Sequence, residues 1–379
     1  MTIKVLHVYK TYYPDPPGGL QEAIRQIAVS TMPYDIKTSI YALSPNPDPV
    51  EVDRLEALVI RERSWAAPAS CDLGSIGSVK RFLELIRKVD LVHYHYPWPF
   101  ADLLHLGTCT SVPAIMTYHS DIVRQKLLDL FYSPLRSRMM AKMKSIVATS
   151  PSYIKSSPIL SDQSVAGRVR VIPLAIDEST YPMQEDPVIF DRLKINKSEP
   201  YFLFIGVLRY YKGLHFLLEA ATSVNAKIVV AGAGPEAESL HKLKNQLCAD
   251  NVIFAGRISD REKISLLQRC RAFVLPSHLR SEAYGMVLVE AAMLGRPMVS
   301  CEIGTGTSYV NSDKETGFVI PPESPRALAL ALNSLLIDEE LAKRLGCGAR
   351  ERYERYFSGP ALGKAYANLY REVLEGAST

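Results

Sequence analysis

The chain has 379 residues, 47% of them hydrophobic and 22% charged, with 44 Lys and Arg against 40 Asp and Glu. That length exceeds what one core usually serves and predicts two domains, while a formal charge of +4 is too small to mark a nucleic-acid binder. Six scattered cysteines (Cys71, Cys109, Cys248, Cys270, Cys301 and Cys347), with no Cys-x-x-Cys pair, predict reduced thiols, no structural zinc and a cytoplasmic protein.

The opening MTIKVLHVYK runs straight into a strand pattern, so no secretory leader is expected. No apolar run approaches the ~20 residues that span a bilayer, so any membrane contact is expected to be peripheral. IKVLHVY reads as a buried strand, followed by the loop YYPDPPGG and the helical stretch LQEAIRQIAVS. KTSIYAL, LVHYHY, PAIMTYH, SIVATS and VRVIPL are further short strands, with helical segments such as SVKRFLELIRKV between them. A linker rich in Pro and charge begins near residues 174–185, and the rhythm then restarts with YFLFIGVL, AKIVVAGAG, NVIFAG, RAFVLPS, RPMVSC and TGFVIPP. Strands alternating with helices imply parallel sheets. The expected architecture is therefore α/β, with Rossmann-like domains at 1–178 and 185–358 facing a central cleft. A last helix at 360–379 is expected to return to the first domain. Ligands in such sheets sit beyond the carboxyl ends of the strands, and the loops there are where chemistry is sought.

In chain order, the first such loop carries Gly18 and Gly19 before a helix. Glycines admit close backbone approach and a helix start favours an anion, although a plain turn explains the pair equally well. His93 and His95 fall on one face of a strand end. A metal site would need a third ligand that the sequence does not name, so packing or acceptor contact is expected. VRQKLLDLFYSPLRSRMMAKMK, from Arg124 to Lys144, sets six basic residues against Asp129. A solvated helix face is the default for such a run, and contact with anionic lipid is the functional alternative. Arg209 and Lys212 follow a strand and precede a helix. If residues 209–212 open that helix, both project from its first turn, where cations oppose the macrodipole unless an anion is bound. AKIVVAGAGPEAE contains G-x-G-x-x-A but lacks the acid that NAD binding wants about 20 residues later. Last comes SEAYGMVLVE, in which Glu282 and Glu290 are separated by seven residues. Glu290 lies among Val287, Leu288, Val289, Ala291 and Ala292, so a solvated face explains it poorly. A buried carboxylate wants donors, and ribose hydroxyls would supply them.

E-x7-E in SEAYGMVLVE, the glycine pair near the N-terminus, a strand loop ending in Lys-Gly, and TYHSD together resemble retaining glycosyltransferases of family 4, which have the GT-B fold. The resemblance covers nearly the whole chain. It implies that Gly18 and Gly19 lie against a diphosphate and that His119 contacts the transferred sugar. It implies that Lys212 with a basic partner neutralises the leaving diphosphate. Glu282 would hold sugar hydroxyls, the amides of Tyr284, Gly285 and Met286 phosphate or sugar, and Glu290 the ribose. Members carry Arg immediately after the strand's glycine, where this chain has Val207, and Arg209 is expected to substitute. EIGTGTSYVN resembles a bacterial subgroup that adds mannose or D-rhamnose from GDP-sugars to lipid-linked polysaccharide. The resemblance thus implies a nucleotide sugar and a lipid-linked saccharide acceptor as partners, no cofactor, and a location at the inner membrane surface reached through 124–144. With no Asp-x-Asp in the chain, no metal is expected at the diphosphate. An epimerase or a non-catalytic sugar-nucleotide binder on the same fold is the alternative, and an NAD-dependent dehydrogenase a third.

Overall fold

The computed structural model describes residues 2–15, 18–67, 72–108, 110–121, 126–196 and 198–377, with only the backbone for 126–131. The chain divides into two compact units, one comprising Met1–Asp177 and Gly359–Thr379, the other Glu178–Ser358.

The first unit is built on nine strands: β1 (Ile3–Val8), β2 (Ile36–Ser44), β3 (Glu51–Asp53), β4 (Leu58–Ala66), β5 (Leu73–Gly74), β6 (Leu91–Tyr96), β7 (Ala114–Tyr118), β8 (Ser145–Ala148) and β9 (Val169–Val171). Their order is β3-β4-β2-β1-β6-β7-β8-β9, with β5 joined to β4. All pairs are parallel except β3 and β5 against β4. β6 and β7 are buried at every position, as strands covered by helices on both faces must be. The helix Ile76–Ile86 starts on a capping box in which Ser75 and Ser78 satisfy one another's amides. The C-terminal helix Gly359–Glu375 buries Leu362, Tyr366, Leu369, Tyr370 and Val373, a stripe at helical spacing. It packs on the helix Gly19–Thr31, and its Tyr366 and Tyr370 hydroxyls reach Thr117 on β7 and His93 on β6.

The second unit has six strands, all parallel: β10 (Tyr201–Ile205), β11 (Lys227–Ala231), β12 (Val252–Gly256), β13 (Ala272–Leu275), β14 (Met298–Cys301) and β15 (Gly317–Ile320). They run β12-β11-β10-β13-β14-β15, the 3-2-1-4-5-6 order of a doubly wound sheet. β10, β13 and β14 are wholly buried. The flanking helices begin on local signals, Ser259 with Glu262 in a capping box and Ser324 ahead of Pro325. Strand order reverses between β10 and β13, and in such sheets ligands bind in the crevice at the carboxyl ends of these strands.

Candidate active site

In the second unit that crevice is lined by the sequence's suspected residues. The loop from β10 forms a short 3-10 turn at Tyr210–Lys212, and Gly213 then starts the helix Leu214–Ala221 in a left-handed conformation, φ 66°. A Cβ at Gly213 would lie 2.1 Å from the Pro276 carbonyl oxygen, so only glycine lets this loop press against the loop leaving β13. The contact is secured by His278, whose amide donates to the Tyr211 carbonyl at 3.0 Å.

Across this junction Lys212 and Glu282 form a buried ion pair, and Ser277 Oγ donates to the same carboxylate oxygen at 3.1 Å. The expectation that Arg209 and Lys212 share a helical first turn is corrected. Arg209 is extended, with φ −121° and ψ 152°, ahead of the 3-10 turn. Gly213 interrupts the chain before the true helix, so Lys212 points inward while Arg209 stays exposed. The anion demanded by a cation near a helix start is supplied in the protein by Glu282 itself. The Arg209 guanidinium has no hydrogen-bonding or ionic partner among the described residues, and neighbouring Val207 is half exposed.

Gly285 stands at φ 81° and precedes the helix Met286–Met293. The amides of Gly285 and Met286 donate to no group among the described residues, as first-turn amides of a helix do. Tyr284 is buried beside them. Glu290 is also buried, and a solvated face is excluded for it. Its Oε1 accepts from the Tyr181 hydroxyl at 2.8 Å and from Lys263 Nζ at 2.9 Å, and its Oε2 is enclosed without a partner among the described residues. Sequence reading missed Ser277, Lys263 and Tyr181. Ser277 sits five positions before Glu282 and was within reach of a local reading. Lys263 and Tyr181 are 27 and 109 positions from Glu290, with no local signal. The G-A-G stretch after β11 has a packing role. A Cβ at Gly232 would lie 1.9 Å from the Gly206 carbonyl oxygen, and one at Gly234 2.3 Å from that of Leu208. These glycines seat the β10 loop.

In the first unit the loop after β1 is fastened by buried polar contacts. Arg61 pairs with Asp15 at 3.2 Å and also donates to the Asn46 and Pro49 carbonyls. Tyr12 donates to Glu56 at 3.0 Å. The loop delivers Gly18 as the residue before the helix Gly19–Thr31, with no side-chain cap. A Cβ on Gly19 would meet nothing within 4 Å among the described residues.

His119 follows β7 and is buried. Its Nε2 lies 3.0 Å from His95 Nδ1, and His95 Nε2 lies 2.9 Å from His7 Nδ1. His93 stacks on His95 with centroids 4.4 Å apart and bonds to Tyr370 and Thr117 at 2.9 and 2.7 Å. The third ligand that the sequence could not name is thus present, since His7, His93 and His95 bring nitrogens within 4.8 Å of one another. The group does not fit a metal, because both ring nitrogens of His93 and of His95 are already committed to hydrogen bonds. Burial holds all four imidazoles neutral, with His7 and His119 pushed down to about 3 and His93 and His95 well below their ordinary value.

The basic stretch is less uniform than its sequence suggests. It forms the helix Lys126–Lys142, and Arg124 lies outside the described residues. Arg136 is buried, with its guanidinium over the Tyr132 ring, which corrects its reading as a free surface cation. Arg138, Lys142 and Lys144 are exposed.

Both units match known protein families. A family model described as Glycosyltransferase Family 4 matches residues 17–180, and one described as Glycosyl transferases group 1 matches residues 185–352. The chain is 40% identical to the O-antigen chain mannosyltransferase C of Escherichia coli over 99% of its own length and 100% of the relative's. It is 41% identical to the D-rhamnosyltransferase WbpZ of Pseudomonas aeruginosa, covering 94% and 92% of the two chains. Among solved structures, sucrose-phosphate synthase from Thermosynechococcus elongatus aligns with a TM-score of 0.78 at 20% identity, over 99% and 100% of the two chains. WaaG, a glycosyltransferase involved in lipopolysaccharide biosynthesis, aligns at 0.66 and 17%, over 97% and 99%. The expected fold, two parallel-sheet α/β domains of GT-B type, is the one observed.

Proposed function

Since this chain belongs to the glycosyltransferases of family 4 and group 1, we propose that it moves a mannosyl or D-rhamnosyl residue from a GDP-sugar to a lipid-linked saccharide, in assembling the O-antigen of bacterial lipopolysaccharide. The observation that carries this reading is the pair of near-full-length relatives at 40% and 41% identity, whose names are those of an O-antigen mannosyltransferase and a D-rhamnosyltransferase.

Breaking the sugar–phosphate bond creates an oxocarbenium-like sugar and a diphosphate leaving group. Cations and amides must meet the second, and oriented acceptors the first. Lys212 and exposed Arg209 offer the cations, and the unengaged amides of Gly285 and Met286 the helix-start donors. On binding, the diphosphate competes with Glu282 for Lys212, which frees a carboxylate oxygen of Glu282 for sugar hydroxyls. Glu290 Oε2, enclosed without a partner, is the acceptor for a ribose hydroxyl. In the first unit, Gly18 and Gly19 lie against the diphosphate and His119 contacts the transferred sugar. The reaction retains configuration by same-face attack. Double displacement needs a nucleophilic carboxylate opposite the leaving group, whereas Glu282 stands beside Lys212, on the side of the leaving diphosphate. The absence of Asp-x-Asp from the sequence supports a reaction without a bridging metal.

Among the described residues no helix is long and apolar enough to cross a membrane. Exposed Arg138, Lys142 and Lys144 support peripheral attachment to anionic lipid at the inner face of the cytoplasmic membrane. The decisive assay is the initial rate of transfer from GDP-mannose, GDP-D-rhamnose and UDP-glucose, with and without EDTA, with the product anomer read by NMR. GDP-sugar transfer that survives EDTA and keeps the donor's configuration is expected. Use of UDP-glucose alone, or an inverted product, would overturn the donor or the stereochemical assignment.

A further inference from the structure

His119, His95 and His7 form a single hydrogen-bonded file, Nε2 to Nδ1 at 3.0 Å and Nε2 to Nδ1 at 2.9 Å. The file ends on His7 Nε2, which is enclosed and has no partner among the described residues. All three rings are buried and neutral, so each carries one N–H and one lone pair. Every link must join an N–H to a lone pair, and only two arrangements keep both bonds. Either all three rings are protonated on Nε2, or all three on Nδ1. A mixed file breaks a bond.

The two arrangements differ at the ends. With protons on Nε2, His7 would bury an N–H with no acceptor, and His119 would present a lone pair at Nδ1. With protons on Nδ1, His7 buries only an unused lone pair, and His119 presents an N–H. Orphaned buried N–H groups are rarer than underused acceptors, and a donor without a partner carries its full desolvation penalty. We propose that His7 and His95 are positioning residues that fix His119 in the Nδ1–H tautomer, so that its free nitrogen always meets the sugar as a hydrogen-bond donor. An imidazole left to itself favours the Nε2–H form, and the file reverses that preference. A donor holds a lone pair of a sugar hydroxyl and so orients the sugar for transfer, and the same nitrogen is thereby barred from acting as a base.

The functional half of this assignment rests on the sugar contact given to His119 above, whereas the tautomer does not. Long-range proton–nitrogen NMR correlation on histidine-labelled protein reads the tautomers directly. The expected result is Nδ1–H on His7, His95 and His119 together. Nε2–H on His119, or a mixed set, would overturn the proposal whatever the activities are. His7→Met removes the N–H that His95 accepts, and should return His119 to Nε2–H while kcat drops roughly ten- to a hundredfold through loss of sugar positioning with little change in donor KM. His7→Asn, whose amide nitrogen falls near the place of Nδ1, should keep the Nδ1–H form and most of the rate. An Nδ1–H signal that persists in folded His7→Met would refute the positioning role. Unchanged turnover in His119→Ala would instead refute the sugar contact and leave the tautomer result standing.

Discussion

Lys212 and Glu282, 70 positions apart in sequence, form a buried ion pair that bridges the loops leaving β10 and β13. Taking away one member of such a pair strands the other charge, at a cost of about 3–5 kcal/mol. Glu282→Ala is therefore expected to lower the melting temperature and to reduce turnover sharply, with donor KM little changed. Because the diphosphate would re-pair the stranded Lys212, GDP should raise the melting temperature of Glu282→Ala more than that of the wild type. Equal thermal shifts would argue against diphosphate contact with Lys212.

Glu290 presents a different balance, with one oxygen held by Tyr181 and Lys263 and the other without a partner. Glu290→Gln should chiefly weaken nucleotide binding, by about 1.5–3 kcal/mol for hydrogen bonds to a charged group. Calorimetric titration with GDP checks this. A turnover defect at unaltered affinity would move Glu290 from the ribose to the reacting sugar.

Arg209 is exposed and carries the charge that Val207 lacks. Arg209→Ala is expected to cut turnover by roughly two to three orders of magnitude, because the charge that it offsets grows toward the transition state. Arg209→Lys should recover only part, since an ammonium cannot hold two phosphate oxygens as a guanidinium does. Initial rates of the three proteins, with and without Mg²⁺, decide it. Near-normal rates in Arg209→Ala would point to Arg257 or Arg280.

Burial pushes both His7 and His119 from 6.5 down to about 3. As pH falls below 6.5 the unfolded chain takes up these protons and the native state does not, so stability is complete above that pH and declines toward 3. Each group contributes up to about 1.4 kcal/mol per pH unit in that window. Urea midpoints should therefore fall steadily between about pH 7 and 5, and His7→Met should flatten the slope. A slope unaffected by His7→Met would show that other groups dominate acid unfolding.

Of the basic stretch, Arg138, Lys142 and Lys144 are exposed and Arg136 is not. Exchanging the three exposed residues for Ser should release the protein from anionic vesicles, with binding to neutral vesicles low throughout and salt weakening the wild-type interaction. Arg136→Ser should instead lower stability, because its guanidinium packs on Tyr132. Sedimentation indifferent to lipid charge would remove the membrane role from this helix.

Strand-and-helix alternation and the burial of Glu290 were legible in the sequence. Each is announced by neighbours within a turn or two: short apolar runs between turn residues, and a carboxylate among valines and alanines. Tertiary structure alone decided who meets whom. The 3-2-1-4-5-6 order sets β10 beside β13, and that adjacency gives Lys212 its counter-ion in Glu282 rather than a place on a helix beside Arg209. The same kind of adjacency, β1 beside β6 and β6 beside β7, lines up His7, His95 and His119 from three segments into one file. Local pattern reports what a residue needs, a donor, a counter-charge or burial. Which partner meets that need depends on how strands pair in a sheet, and pairing is set by the burial of the whole unit.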